Sequence, residues 1–238
     1  MVKKNFRKLI NFFNYDIRKY PNFNYNKVNI FNLVIENFII QHKDQPFYFI
    51  QVGAHDGLKN DPINKYIKKY NWHGILIEPQ QDIFYKLKEN YKEFSKNLIF
   101  ENIAISSAKN EIELYRSKSG NKSTVASVRK NITKRQLKAG DKELHSVKVK
   151  CTSLNNLINK HSVIKIDLLQ IDTEGYDFEV IKTLELENLK PKIIHFEFGH
   201  LTPKECNDLV KYLSLHNYSI HWGGREGDSI AILEYEKA

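Results

Sequence analysis

The stretch Phe47–Pro79, FYFIQVGAHDGLKNDPINKYIKKYNWHGILIEP, constrains the fold more than any other part of the chain. It opens on an apolar, aromatic-rich run, Phe47 to Val52, of the length expected of a buried strand. Gly53 follows at once, then Gly57. Asp61-Pro62 then signals a helix start, because proline suits the first helical turn. Ile63, Tyr66, Ile67 and Tyr70 recur at three- and four-residue steps, the spacing of one helical face. Gly74 interrupts that pattern, and a second apolar strand, Ile75 to Ile77, ends on Glu78. The result is a strand, a glycine-bearing loop, a helix and a second strand with a carboxylate at its tip.

Such a unit suits a nucleoside. The loop backbone can approach the ligand closely, and the carboxylate can accept two hydrogen bonds from a ribose diol. The dinucleotide fingerprint Gly-x-Gly-x-x-Gly is absent, since Ala54, His55 and Asp56 stand between Gly53 and Gly57. Asp56 would repel a pyrophosphate and would suit a ligand bearing an ammonium and a sulfonium, as S-adenosylmethionine does. The competing reading is an ordinary α/β turn followed by an incidental glutamate.

With 238 residues, 41% of them hydrophobic, the chain suits one sizeable α/β domain with a small extension. A net charge of +9 favours acidic partners such as nucleotides, phosphorylated glycans, nucleic acid or anionic lipid, without choosing among them. Cys151 and Cys206 form no Cys-x-x-Cys pair and no disulfide framework, so a reducing, cytoplasmic setting is expected. No apolar run reaches the ~20 residues of a membrane span. The start, MVKKNFRKLINFF, is basic but lacks the long apolar core and small-residue cleavage site of a secretion signal.

Residues 1–45 read as an extension of two helices. In the first, Phe6, Leu9, Ile10, Phe13 and Ile17 share a face among basic residues. That face suits a membrane surface, or packing on the core or on a second copy in a homo-oligomer, and packing is the preferred expectation. The second helix spans residues 28–41. Residues 46–238 then alternate as one domain, with a helix over 80–94, a third strand over 98–105 and a short strand over 110–115. Residues 116–146 are polar and basic and are expected to form an insertion or flexible lid over the site. A strand over 147–151, a helix over 154–159 capped by Thr152 or Ser153, and an apolar strand over 163–171 ending at Asp172 come next. A helix opens near Gly175, the strand KIIHFEF follows, and Thr202-Pro203 starts another helix. Two closing strands flank Gly223-Gly224. The alternation predicts a mostly parallel sheet covered by helices on both faces. Gly53, Glu78, Ala104, Asp172 and Glu197, each just past a strand end, should meet at its carboxyl edge.

At this point the residues carry a family resemblance. FIQVGAHDG at 49–57, GILIEP at 74–79, IAIS at 103–106, VKCTSLNNL at 149–157, LLQIDTEGYDFEVIKTL at 168–184 and HFEF at 195–198 resemble, in order and spacing, the FkbM family of S-adenosylmethionine-dependent methyltransferases. The most specific stretch, IDTEGYDFEVIKTL, resembles that family's Asp-x-Glu-Gly-x-Glu/Asp signature. Residues 1–45 and 116–146 fall outside the resemblance. It implies a Rossmann-like class I methyltransferase fold with strand order 3-2-1-4-5-7-6 and an antiparallel seventh strand. It also implies O-methylation of a hydroxyl on a sugar, glycan or glycosylated metabolite. Carried over by motif, Gln51, Gly53, Ala54, His55, Asp56 and Gly57 would surround the methionine part of the donor. Glu78 and Pro79 would hold the ribose, Asn102, Ile103 and Ala104 would lie beside the adenine, and Asp172 and Glu174 would close the far end.

A sugar hydroxyl is a poor nucleophile, so methyl transfer calls for a proton acceptor. Asp172, Glu197, His200 and His55 are the catalytic candidates, with Glu174 beside them. Asp172 and Glu197 also suggest a magnesium or manganese site acting on the hydroxyl. Two other functions compete. One is methylation of RNA ribose or other nucleic acid, suggested by Lys118, Lys122, Arg129, Lys130, Lys134 and Arg135. The other is nucleotide binding without catalysis. Asp172-Thr173-Glu174-Gly175 stands where base N-methylation commonly uses an Asn-Pro-Pro-Tyr type of loop, which argues against that chemistry.

Overall fold

The computed structural model describes residues 29–43, 45–108, 110–117, 126–137, 144–222 and 228–234. The first amphipathic segment, Phe6 to Ile17, lies outside the described residues, as do Lys118, Lys122 and Gly223-Gly224. In chain order the elements begin with α1 (Ile30–Gln41), β1 (Tyr48–Val52), α2 (Asn64–Tyr70), β2 (His73–Ile77), α3 (Gln81–Asn90) and β3 (Leu98–Glu101). Next come β4 (Ala104–Ile105), β5 (Glu111–Ser117), β6 (Ala126–Ser127), α4 (Lys130–Leu137), β7 (Leu144–Thr152) and α5 (Leu154–Lys160). The chain continues with β8 (Leu168–Ile171), α6 (Asp177–Lys182), β9 (Ile193–Glu197), α7 (Pro203–Leu215), β10 (Tyr218–Trp222) and β11 (Asp228–Leu233).

The main sheet runs β10-β11-β9-β8-β1-β2-β3. Counting only its own strands, that is the order 3-2-1-4-5-7-6. β11 is antiparallel to both neighbours and every other pairing is parallel. Central strands alternate their side chains between two buried clusters. Ile50, Val52, Ile75, Ile77, Leu169 and Ile171 join Leu154, Val180, Ile181 and Leu213 of α5, α6 and α7 on one face. Phe49, Leu76 and Leu168 join Phe31, Ile35, Ile67 and Leu87 of α1, α2 and α3 on the other. Burial on both faces explains why these strands read as continuous apolar runs.

Polar residues interrupt the second face near its carboxyl edge. Gln51 pairs in register with Gln170, and Gln170 with His195, across β1, β8 and β9. Burial holds the His195 imidazole down to about 4, so it is neutral, and its Nδ1 lies 2.6 Å from Gln170 Oε1. Phe31 of α1 packs on its ring at 4.2 Å, which ties the second helix of the extension to the sheet.

Two expectations change. The third strand is not continuous over 98–105: β3 ends at Glu101, and β4 pairs with β7 in a second sheet of order β4-β7-β5-β6. Asn102 makes the break by turning its amide onto the carbonyls of Glu78 and Pro79, at 2.8 and 3.2 Å. The polar stretch 116–146 contains β6, α4 and the start of β7. Among the described side chains of α4, Ile132 and Thr133 are the buried ones, too few to show an apolar period in sequence. Among the described residues no helix is long and apolar enough to cross a membrane.

Candidate active site

The first turn of the sheet is held by backbone. Gly53 and Ala54 both donate to the Ile77 carbonyl, at 3.0 and 2.9 Å, so the loop after β1 leans onto the end of β2. Glu78, at that end, is buried and works as a clasp. Its Oε2 accepts the His55 backbone N–H at 3.0 Å and its Oε1 accepts that of Gln80 at 2.8 Å. Burial pushes its carboxyl up to about 7, against the pull of those two N–H groups.

Ten of the residues expected to hold a nucleoside donor line one cleft: Gln51, Gly53, Ala54, His55, Glu78, Pro79, Ile103, Ala104, Asp172 and Glu174. Asp56, Gly57 and Asn102 do not, and each has other work. Asp56 turns into its own loop, where Oδ1 accepts from Leu58 and Lys59 and faces His55 Nδ1 at 3.2 Å. Gly57 leaves room for Tyr91 and Leu87, which a Cβ would strike. Asn102 holds the backbone after Glu78, as described above.

Asp61 was read only as a helix start. It does cap α2, accepting from Ile63 and Asn64 at 2.8 and 3.1 Å, but it also lines the cleft. Burial raises its carboxyl, opposed by bonds from those N–H groups, Gln51 and Tyr91. Gln51 is buried with an Oε1 that has no partner, a waiting acceptor in the cleft wall. Leu114 and Ala126 of the second sheet, Val128 just after β6, and Tyr176 also line the cleft. Tyr176 is braced by Ser106, whose Oγ lies 3.2 Å from its hydroxyl.

Carboxylates gather at one end. Asp172 opens into the cleft, yet protein atoms surround it on its other sides. That enclosure, and then Asp177, Glu174, Asp228 and Glu78, push its carboxyl up to about 8. Water in the open cleft screens part of this effect, which grows when a ligand excludes the water. Asp177 is fully buried and bolts β9 to the turn after β8, accepting from Thr173 Oγ1 at 2.7 Å and the Glu197 N–H at 2.9 Å. Burial, and then Glu174, Asp177, Asp172 and Asp228, raise Glu197 to about 9. Neither Glu197 nor His200 lines the cleft. They sit behind Glu174, with His200 Nε2 3.1 Å from Glu197 Oε1 and 3.4 Å from Glu174 Oε2.

The cluster with metal-ligand spacing is not the expected pair of Asp172 and Glu197. Glu174, Glu197 and His200 bring one ligand atom each within 4.8 Å of one another, and Asp172 is not among them. Nor does the trio fit magnesium or manganese as built. Arg135 Nη2 lies 2.8 Å from His200 Nδ1, and a guanidinium only donates. A donor on Nδ1 favours the ring protonated at Nε2, which is the atom that faces both carboxylates and would have to ligate.

A Rossmann-like sheet with a glycine loop, a strand-tip glutamate and a donor-sized cleft between them defines a class I methyltransferase dependent on S-adenosylmethionine. The Methyltransferase FkbM domain matches residues 51–220, and the chain belongs to that family. Two solved structures share the fold. The METTL16 MTase domain is 13% identical with a TM-score of 0.52, over 87% of this chain and 67% of that one. Methyltransferase FkbM from Methylobacillus flagellatus KT is 15% identical with a TM-score of 0.50, over 79% of this chain and 43% of that one. The present chain thus matches under half the length of that relative, and identities this low speak to the fold alone. No match was found among curated proteins.

Proposed function

We propose that the chain moves the methyl group of S-adenosylmethionine onto a hydroxyl of a sugar, glycan or glycosylated metabolite. The observation behind this reading is that one cleft is lined by the Gly53 loop, by Glu78 and by two proton-accepting groups, Asp172 and Glu174. Glu78 keeps lone pairs for a ribose diol beyond those its two N–H bonds use. Asp172 and Gln51 Oε1 suit the donor's ammonium, and Ile103 and Ile105 give its adenine an apolar wall. The sulfonium already activates the methyl group. What remains is to align it with the acceptor oxygen, to take the hydroxyl proton and to keep water out.

The charge at the transfer end favours an uncharged acceptor. Glu174, Asp177 and Asp228 lie close enough to raise both Asp172 and Glu197, and a phosphate among them would be repelled. Two cations that suggested nucleic acid are engaged within the chain: Arg129 pairs with Glu205 and Arg135 bonds to His200. Both cysteines are unpaired, which goes with a cytoplasmic enzyme.

The test is calorimetry with S-adenosylmethionine, followed by transfer of tritiated methyl to separate pools of glycosides, nucleotide sugars and RNA. Label on a glycoside is expected. Salt-sensitive label on RNA alone would overturn the acceptor class, and no affinity for the donor would overturn the whole reading.

A further inference from the structure

Resting on the methyl-transfer reading above, we infer that Arg135 sets the working tautomer of His200 and thereby makes Glu174 the group that takes the acceptor's proton. Four side chains face His200: Arg135 and Gln136 from α4, Glu174 from the turn after β8, and Glu197 from the end of β9. Arg135 Nη2 donates to Nδ1 at 2.8 Å. Gln136 Nε2 donates to Glu174 Oε2 and stands 2.8 Å from His200 Nε2, where its second N–H would favour the opposite tautomer. Of the two rivals the charged donor makes the stronger bond. His200 is then an Nε2–H donor aimed at Glu197 and Glu174, with its one lone pair capped by a guanidinium. A ring in that state has no place for another proton. Burial and the Arg135 charge lower its basicity further, although Glu174 pulls the other way.

Glu174 meets the opposite conditions. Of the five residues in this group it is the one that lines the cleft. Its φ is +53°, a left-handed conformation that a side chain adopts only where the surroundings over-determine it. They do: Ser127 Oγ holds its carbonyl at 2.8 Å, the Gln136 amide donates to its Oε2, and the His200 Nε2–H faces the same oxygen. The backbone strain and three polar anchors fix one carboxylate at the edge of the acceptor space. As the acceptor oxygen bonds to the methyl carbon, the carbon–sulfur bond breaks and its electron pair returns to sulfur. The hydroxyl proton passes to Glu174. Sulfonium and carboxylate become thioether and carboxylic acid, so charge and atoms balance. Glu174 is the catalytic residue in this scheme, and Arg135 and His200 are positioning residues.

The test uses the full chain labelled with [15N]histidine. Two-bond proton–nitrogen spectra report the tautomer, and the His200 signals are assigned by their loss in His200→Gln. The expected pattern is a protonated Nε2 and a bare Nδ1, shifted towards the other tautomer in Arg135→Ala and restored in Arg135→Lys. A protonated Nδ1 in the wild-type chain, or a spectrum unmoved by Arg135→Ala, would overturn the assignment. Glu174→Gln should bind S-adenosylhomocysteine within about threefold of wild type and transfer label to a glycoside about 100-fold more slowly. Wild-type turnover in that variant would overturn the proton step. A wild-type chain that ignores S-adenosylhomocysteine would sink the methyl-transfer reading, and the proton step with it, whatever the tautomer spectra show.

Discussion

The carbonyl oxygen of Asp172 occupies the place where a Cβ on Gly53 would have to stand. The two strand tips are locked there, because the Asp172 N–H also donates to the Val52 carbonyl at 2.9 Å. Gly53 has φ +82°, so any side chain adds backbone strain to the collision. Gly53→Ala should cost about 3 kcal/mol of stability or more and abolish donor binding. Urea unfolding and calorimetry with S-adenosylhomocysteine check this, and an unchanged midpoint would show that the tips are free to part.

Glu78→Ala removes the clasp between the loops after β1 and β2 as well as the ribose acceptor. Donor affinity should fall by about 1–3 kcal/mol, since charge-assisted hydrogen bonds are lost. Titration calorimetry reads the change, and affinity within twofold of wild type would remove Glu78 from the donor site.

Asn102→Ala isolates a smaller effect. The variant loses the bonds to the Glu78 and Pro79 carbonyls but no proposed ligand contact. Donor affinity should drop by about 1 kcal/mol through a looser loop, with little change in melting temperature. A larger loss than that of Glu78→Ala would make Asn102 a direct contact after all.

Donor binding should release protons, and the sulfonium should release more than the thioether. The protein around Asp172 and the carboxylates beside it raise its carboxyl, and a cation beside it favours ionisation. S-adenosylmethionine carries one positive charge more than S-adenosylhomocysteine, so its binding heat should vary more among buffers of different ionisation enthalpy. Equal variation for the two ligands at pH 7.5 would place the sulfonium away from Asp172.

The ligand-free chain should lose stability as pH rises. Glu78, Asp172 and Glu197 are raised to about 7, 8 and 9, above their unfolded values. The folded state therefore holds protons that the unfolded chain has shed. That contribution is fully present below the unfolded values near 4 and is lost as pH climbs through 7 to 9. Thermal unfolding between pH 6 and pH 9 should show a falling midpoint, and Asp172→Asn should flatten the fall. A midpoint that rises over this range would contradict the carboxylate cluster.

Much of this was legible in the chain because parallel strands buried on both faces announce themselves as apolar runs. β1, β8 and β9 read directly, and so did Glu78 and Asp172 at their ends. Strand order came from resemblance rather than from pattern. The second sheet was hidden because Ala104–Ile105 follows β3 so closely that a single strand was the simpler reading. α4 was hidden because KNITKRQL is mostly polar and shows no apolar stripe. Asp56 and Gly57 show a different limit. Neighbours of a glycine loop share its sequence but not its direction, and only packing against Tyr91 and Leu87 reveals which way each one points.

Leu114 and Ala126 line the same cleft as Gly53 and Glu78 from strands that hydrogen-bond within the second sheet and not to the main one. Part of the cleft wall therefore rests on strands that the central sheet does not hold, so repacking them would reshape the cleft while leaving the lock between Gly53 and Asp172 intact.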